Sequence, residues 1–165
     1  MMSDFSTVFN STIETGLRGL ILLVAGYPHS YDIERLTYYD YLLVHSGDIA
    51  DGPDSIHPKT PHRSGEILVR RPLIEKSLNT MLSRGLIEVV YSNEGIHYVA
   101  SELASPFLDS LQEHYTKKLI EISDWVVSEF DSQPIYKIRN LINKNLSIWG
   151  GEFINKSAVR GVTIQ

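Results

Sequence analysis

Apolar positions recur along the N-terminal part of this chain with the period of a helix. After Ser11, the residues Ile13, Leu17, Leu20, Ile21 and Val24 step by three or four, and Ser11 with Glu14 three positions on forms a capping box. A helix over about 11–25 is predicted. Leu22 and Leu23 widen its stripe nearly round the cylinder, and Gly16 and Gly19 would let another backbone come close, so it should lie centrally, covered on several sides. Gly26-Tyr27-Pro28 ends it. Asp32 can cap a second helix carrying Ile33, Leu36, Tyr39, Leu43 and Val44, closed by Ser46-Gly47. Tyr38, Tyr39 and Tyr41 give that helix more aromatic girth than one face needs. They read as core and rim rather than as a ligand box, because amphipathic tyrosine commonly sits half-buried.

The stretch Arg70–Ala100 changes period midway. Leu73, Ile74, Leu78, Met81 and Leu82 form one helical stripe, with Glu75, Lys76, Asn79, Thr80, Ser83 and Arg84 opposite it. Pro72 suits a first turn, and Gly85 stands where the chain must leave the helix. Leu86 to Tyr91 is then β-branched and apolar, Ser92-Asn93-Glu94-Gly95 is a turn, and Ile96 to Val99 alternates back. A helix running into a β-hairpin is the second half of a winged helix. Glu66 to Arg70 reads as a short strand pairing with the wing, since a residue ahead of proline, here Arg71, is biased away from helix. The irregular run 47–65, with its three prolines, three glycines and three aspartates, makes this an elaborated winged helix.

Further on, Ser105-Pro106 is a second helix start, followed at helical spacing by Leu108, Leu111, Tyr115, Leu119, Ile122, Val126 and Phe130. One helix from 105 to 130 would be roughly 39 Å long. It would outrun a small core, so the stripe near Tyr115, Leu119, Ile122 and Val126 is expected to need burial against a partner. Pro134 opens another helix with Ile135, Ile138, Leu141 and Ile142 facing inward, to about Asn145. Trp149 and Phe153 follow, either docking on their own domain or anchoring into a partner. The expected fold is mostly helical α+β. A winged helix-turn-helix domain spans 8–100, with its loop at 47–65 and wing at 86–100; a helical extension spans 105–145 and an aromatic-containing tail 146–165.

Composition narrows the function. With 165 residues and 42% hydrophobic content there is material for one well-buried core. The absence of cysteine removes disulfides, thiolate metal sites and cysteine nucleophiles, and suits a reducing compartment such as the cytoplasm. The first residues carry no basic export signal, and the most apolar run, Leu17 to Ala25, contains Arg18 and is too short to span a bilayer. A net charge of −5 disfavours strong independent DNA binding. His45, Asp48, Asp51, Asp54, His57 and His62 are the most enzyme-like cluster, but they lack a metal-binding spacing and read as turn formers and caps. No GxSxG, GxxxxGK[ST] or GxGxxG motif is present. We therefore expect no catalysis, no cofactor and no metal. Arg63, Arg70, Arg71, Lys76 and Arg84 are candidates for contact with a DNA backbone or a partner. Glu66, Glu75 and Glu88 are interleaved with them, which favours a solvated face or protein contact.

The chain resembles the middle component of ABC-three-component systems, the small subunit found with an SMC-like coiled-coil ATPase and an effector in bacterial anti-phage defence, Lamassu included. The resemblance rests on Phe9-Asn10-Ser11 leading into Glu14, Gly16, Leu17 and Arg18; on Asp32 to Tyr41 and His45-Ser46-Gly47-Asp48; and on Gly52-Pro53, Ser55 and His57-Pro58. It continues through Arg63, Gly65-Glu66 and Arg70-Arg71, through Met81 to Leu86, and to Trp149 with Glu152-Phe153. It implies an adaptor that bridges the ATPase to the effector, a nuclease in this expectation, and keeps it quiet until foreign DNA is sensed. The other reading of a winged helix is a stand-alone DNA-binding transcriptional regulator.

Overall fold

Ser11 starts the first helix as expected, its side-chain oxygen accepting the Glu14 N–H at 3.2 Å. The computed structural model describes residues 11–57 and 63–145. Helix α1 (Thr12–Gly26) is central, with Leu20, Leu22 and Leu23 sealed from water. A Cβ on Gly16 would stand 3.3 Å from the Ser77 carbonyl and 2.7 Å from the end of Met81, so the missing side chain lets α3 (Arg63–Ser83) lie close. Asp32 caps α2 (Ile33–Val44), accepting from the Arg35 N–H at 2.8 Å. A 3-10 turn (Ser46–Asp48) follows, and the chain folds back until the His57 N–H reaches the Val44 carbonyl at 3.1 Å.

Helix α3 corrects the expected strand at 66–70, which lies within the helix, with Pro72 in its interior rather than its first turn. Interior proline removes one helical hydrogen bond, at a cost of about 3 kcal/mol in an exposed helix. Tertiary placement outweighs that preference. Arg70, Ile74, Ser77, Leu78 and Met81 are all buried at helical spacing, and Arg70 is drawn inward by an acid on α2. The helix leaves at Gly85, whose φ of 72° lies in the left-handed region that glycine enters without strain.

Strands β1 (Ile87–Ser92) and β2 (Gly95–Ala100) form an antiparallel hairpin whose register runs from Ile87↔Ala100 to Ser92↔Gly95. The element that pairs with it is Tyr31, between α1 and α2: Tyr31 and Tyr98 exchange N–H···O=C bonds of 2.9 and 2.8 Å. The described chain is thus a mostly helical α+β fold with a small two-stranded antiparallel sheet.

The expected 26-position helix from Ser105 is two helices, α4 (Ala104–Asp109) and α5 (His114–Phe130). Ser110 Oγ donates to the Phe107 carbonyl at 2.6 Å and Gln112 Nε2 to the Asp109 carbonyl at 3.1 Å. Side chains thereby take carbonyls that a continuing helix would use, which ends it. The turn lets α5, about 25 Å long, fold onto α1 and α2. Leu119, Ile122, Val126 and Phe130 are buried in the one core cluster, and Tyr115 packs partly buried against it. The premise that this stripe needs a partner to cover it is therefore corrected, since the chain covers it itself. The last described helix, α6, spans 135–145 and buries Ile138 and Ile142. Arg35 ties these elements to α2, donating to the Gln133 carbonyl at 3.0 Å and to Tyr39 Oη at 2.8 Å, while Arg139 Nε meets Glu34 Oε1 at 2.8 Å.

Candidate functional site

The polar centre of the molecule is Asp40 on α2. Arg18 of α1 reaches it with Nε to Oδ1 at 2.6 Å and Nη2 to Oδ2 at 3.2 Å, and Arg70 of α3 bonds the same Oδ2. Arg18 also donates to Thr15 Oγ1 at 3.4 Å, one turn away. Relative exposures of 0% for Arg18, 2% for Asp40 and 5% for Arg70 place all three inside. Burial by itself would raise the Asp40 carboxyl, but the charges and hydrogen bonds of Arg18 and then Arg70 outweigh it and hold the group down to about 2. The carboxylate is permanently ionised at neutral pH, and three helices are pinned to it.

A second layer of rings and imidazoles surrounds the ion cluster. The Arg70 guanidinium lies 5.7 Å from the centre of the Tyr41 ring, and Tyr41 Oη meets Asp48 Oδ2 at 3.3 Å. Tyr41 stacks at a tilt on His45 with centroids 5.0 Å apart, and His45 sets its ring edge to face against His57 at 6.3 Å. His57 Nε2 shares a 3.1 Å hydrogen bond with Tyr115 Oη, joining the loop to α5. Burial, followed by the positive charges of Arg18 and Arg70, pushes His57 down to about 4, so its imidazole is neutral at physiological pH. Chemically this is a locked network. Arg18 and Arg70 both bond the Asp40 carboxylate, and the buried packing leaves that carboxylate facing protein.

The expected His and Asp cluster separates in space. His45 and His57 turn inward, Asp48 bonds Tyr41, Asp51 and Asp54 are exposed, and His62 lies outside the described residues. Among the described residues no three His, Asp or Glu side chains gather where they could hold a metal ion. The expected basic group also divides. Arg70 is consumed internally, which corrects its placement as a DNA or partner contact, whereas Arg71, Lys76 and Arg84 are exposed. The Arg63 side chain, with Trp149 and Phe153, lies outside the described residues. Arg71 lines a cavity of about 280 Å³ between α2 and α3, with Glu34, Thr37, Tyr38, Ile67 and Pro72. That volume is at the lower end for small-molecule sites.

Sequence reasoning gave Asp40 and Arg18 no role in the site: Arg18 served to exclude a membrane span, and both fell within stretches that carry the family resemblance. The signal was present in both cases: a single charge inside an otherwise apolar or aromatic helical run is expensive to bury alone and implies an opposite charge facing it. Arg18 sits in Leu17–Ala25 and Asp40 among Tyr38, Tyr39 and Tyr41.

A family model, the ABC-three component (ABC-3C) system Middle Component 2, matches residues 8–152. The chain belongs to that family. No curated protein and no solved structure matches it significantly. The match extends across the pinned helices, the hairpin and α4 to α6, so the described body of this middle component lies within the family's span. A middle component is one of several subunits, and partner subunits are implied. No helix among the described residues is long and apolar enough to cross a membrane.

Proposed function

We propose that this middle component is a non-catalytic adaptor in an anti-phage defence complex. It bridges an SMC-like coiled-coil ATPase to an effector, a nuclease in this reading, and restrains that effector until foreign DNA is sensed. The observation that carries the proposal is membership, over residues 8–152, of a family defined as one component of a three-component system. Two physical features support a scaffold. The charged groups best suited to chemistry, Asp40, Arg18 and Arg70, are spent on holding three helices together. The hairpin, residues 87–100, contains Glu88 and Glu94 and neither lysine nor arginine, so it lacks the cations with which a wing grips phosphate. We read α1 to α3 with the hairpin as a winged helix, and α4 to α6 as its extension. The order helix, bridge residue Tyr31, helix, helix, hairpin favours that reading.

A stand-alone DNA-binding regulator is favoured only by the exposure of Arg71, Lys76 and Arg84 on or just after α3. Fluorescence anisotropy with duplex DNA at two salt concentrations separates the two. The adaptor binds weakly and without sequence preference; tight, specific binding that falls steeply with salt would establish the regulator. Affinity purification of the tagged chain co-expressed with its neighbouring components should recover both the ATPase and the effector, and recovery of the chain alone would refute the adaptor.

A further inference from the structure

The exchange between Tyr31 and Tyr98 fixes the orientation of the whole hairpin. Both main-chain groups of Tyr98 are taken by Tyr31, so they point away from β1. Facing residues in an antiparallel ladder turn their N–H and C=O groups toward each other or away together. Val89, opposite Tyr98, therefore turns its own pair away from β2, and alternation gives Ile87 and Tyr91 the same orientation. The 3.0 Å bond from the Ser101 N–H to the Leu86 carbonyl falls on the opposite parity, as this requires. Among the described residues β2 is the only strand beside β1. Its outer edge thus presents the main-chain groups of Val89 and Tyr91, with Ile87 buried at the root.

Soluble proteins ordinarily blunt such an edge with lysine, proline or a bulge. Strand β1, Ile-Glu-Val-Val-Tyr-Ser, has no lysine and no proline, and its six consecutive pairs with β2 leave no room for a bulge. The side chains point the same way. The core-facing parity runs outward from Ile87↔Ala100 through Val89↔Tyr98 to Tyr91↔Ile96, where Tyr91 is 78% and Ile96 51% exposed. Val90 is exposed on the other face. The only charges on the hairpin are Glu88 and Glu94.

We propose that β1 accepts an extended segment of a partner subunit as an added strand. Its main chain bonds Val89 and Tyr91, its apolar residues cover the Tyr91–Ile96 pair, and its flanking lysine or arginine residues face Glu88 and Glu94. Main-chain pairing supplies affinity in this mode and alternate side chains supply specificity. The inference rests on the adaptor reading and names the surface that reading would use.

Proline at position 91 removes an N–H that the β1–β2 ladder does not use, so Tyr91→Pro blocks the edge while Tyr91→Ala removes only the ring. The tagged full chain, co-expressed with its partner components, should retain most of its partner as Tyr91→Ala and lose it at least tenfold as Tyr91→Pro. Glu88→Lys, an exposed change, should weaken recovery several-fold. Hydrogen exchange on the wild-type complex should slow at the Val89 and Tyr91 amides by tenfold or more, a readout that decides the matter even if the proline variant folds poorly. Assembly of a folded Tyr91→Pro chain as complete as that of Tyr91→Ala would overturn the proposal. So would unprotected edge amides in an intact complex, which would leave the adaptor reading standing. A wild-type chain that recovers no partner overturns both. A dimer of the isolated chain that Tyr91→Pro disperses would assign the edge to a second copy and overturn the partner strand.

Discussion

The Asp40 cluster and the tip of the hairpin break the usual distribution of polar and apolar groups in opposite directions. One places three charges where apolar side chains belong; the other leaves Tyr91 and Ile96 in water where polar ones belong. The difference lies in completion. Asp40 has Arg18 and Arg70 within the same chain, so its cost of burial is met by charge and hydrogen bonds at short range. Among the described residues the hairpin tip has no such internal answer, because the parity that fills the core at Ile87 and Val89 continues past the end of the core. A buried charge cluster closed on itself points to stability. An apolar pair beside a strand edge with no neighbouring strand among the described residues points outward, to something else.

The sharpest way to break this comparison is at Asp40. Replacing it with alanine removes the carboxylate that two buried guanidinium groups share, and unfolding by denaturant should show a loss of about 3–5 kcal/mol. A loss under about 1 kcal/mol would mean the cluster is relaxed by water and is not the closed network described. Acid should expose the same region in two stages. His57 has a folded value of about 4 against an ordinary 6.5, so it contributes stability that is fully present above 6.5 and is lost as the pH falls from there to about 4. That stage amounts to about 3 kcal/mol. Asp40, whose folded value is about 2, adds a second stage between its ordinary value near 4 and 2. Stability measured from pH 7 to 4 should lose its first limb in His57→Phe, and a variant that kept the full limb would show that another group titrates there. The smallest effect belongs to the hairpin tip. Tyr91→Ser should change the stability of the isolated chain by less than about 0.5 kcal/mol, and a larger loss in thermal unfolding would show that the ring already packs at home.

The stripe on α5 shows where pattern alone misleads. Leu119, Ile122 and Val126 announce themselves as a buried face, and they are buried. Whether the covering surface lies in the same chain depends on the path of the backbone, which turns at residues 110–113 and brings α5 back over α1. Ser110 and Gln112 capping α4 are weak local signals beside a strong apolar period. At 66–70 the local preference of a residue before proline pointed to strand, and the long-range pull of Asp40 on Arg70 decided for helix. The pairing partner of the hairpin was misplaced for the same reason, since a single bridge at Tyr31 leaves no periodicity to read.

Local chemistry in the sequence determined the caps at Ser11 and Asp32, the exit at Gly85 and the turn before Gly95, because each depends on residues within one or two turns of it. The tertiary structure alone decided which charges meet, which apolar stripe is covered and which strand edge has no neighbour among the described residues. Those outcomes join positions 22, 30 and 58 residues apart, as in Arg18 with Asp40, Asp40 with Arg70 and His57 with Tyr115. Hydrophobic burial is non-directional: a stripe states that it must be covered, and only the folded chain determines by what.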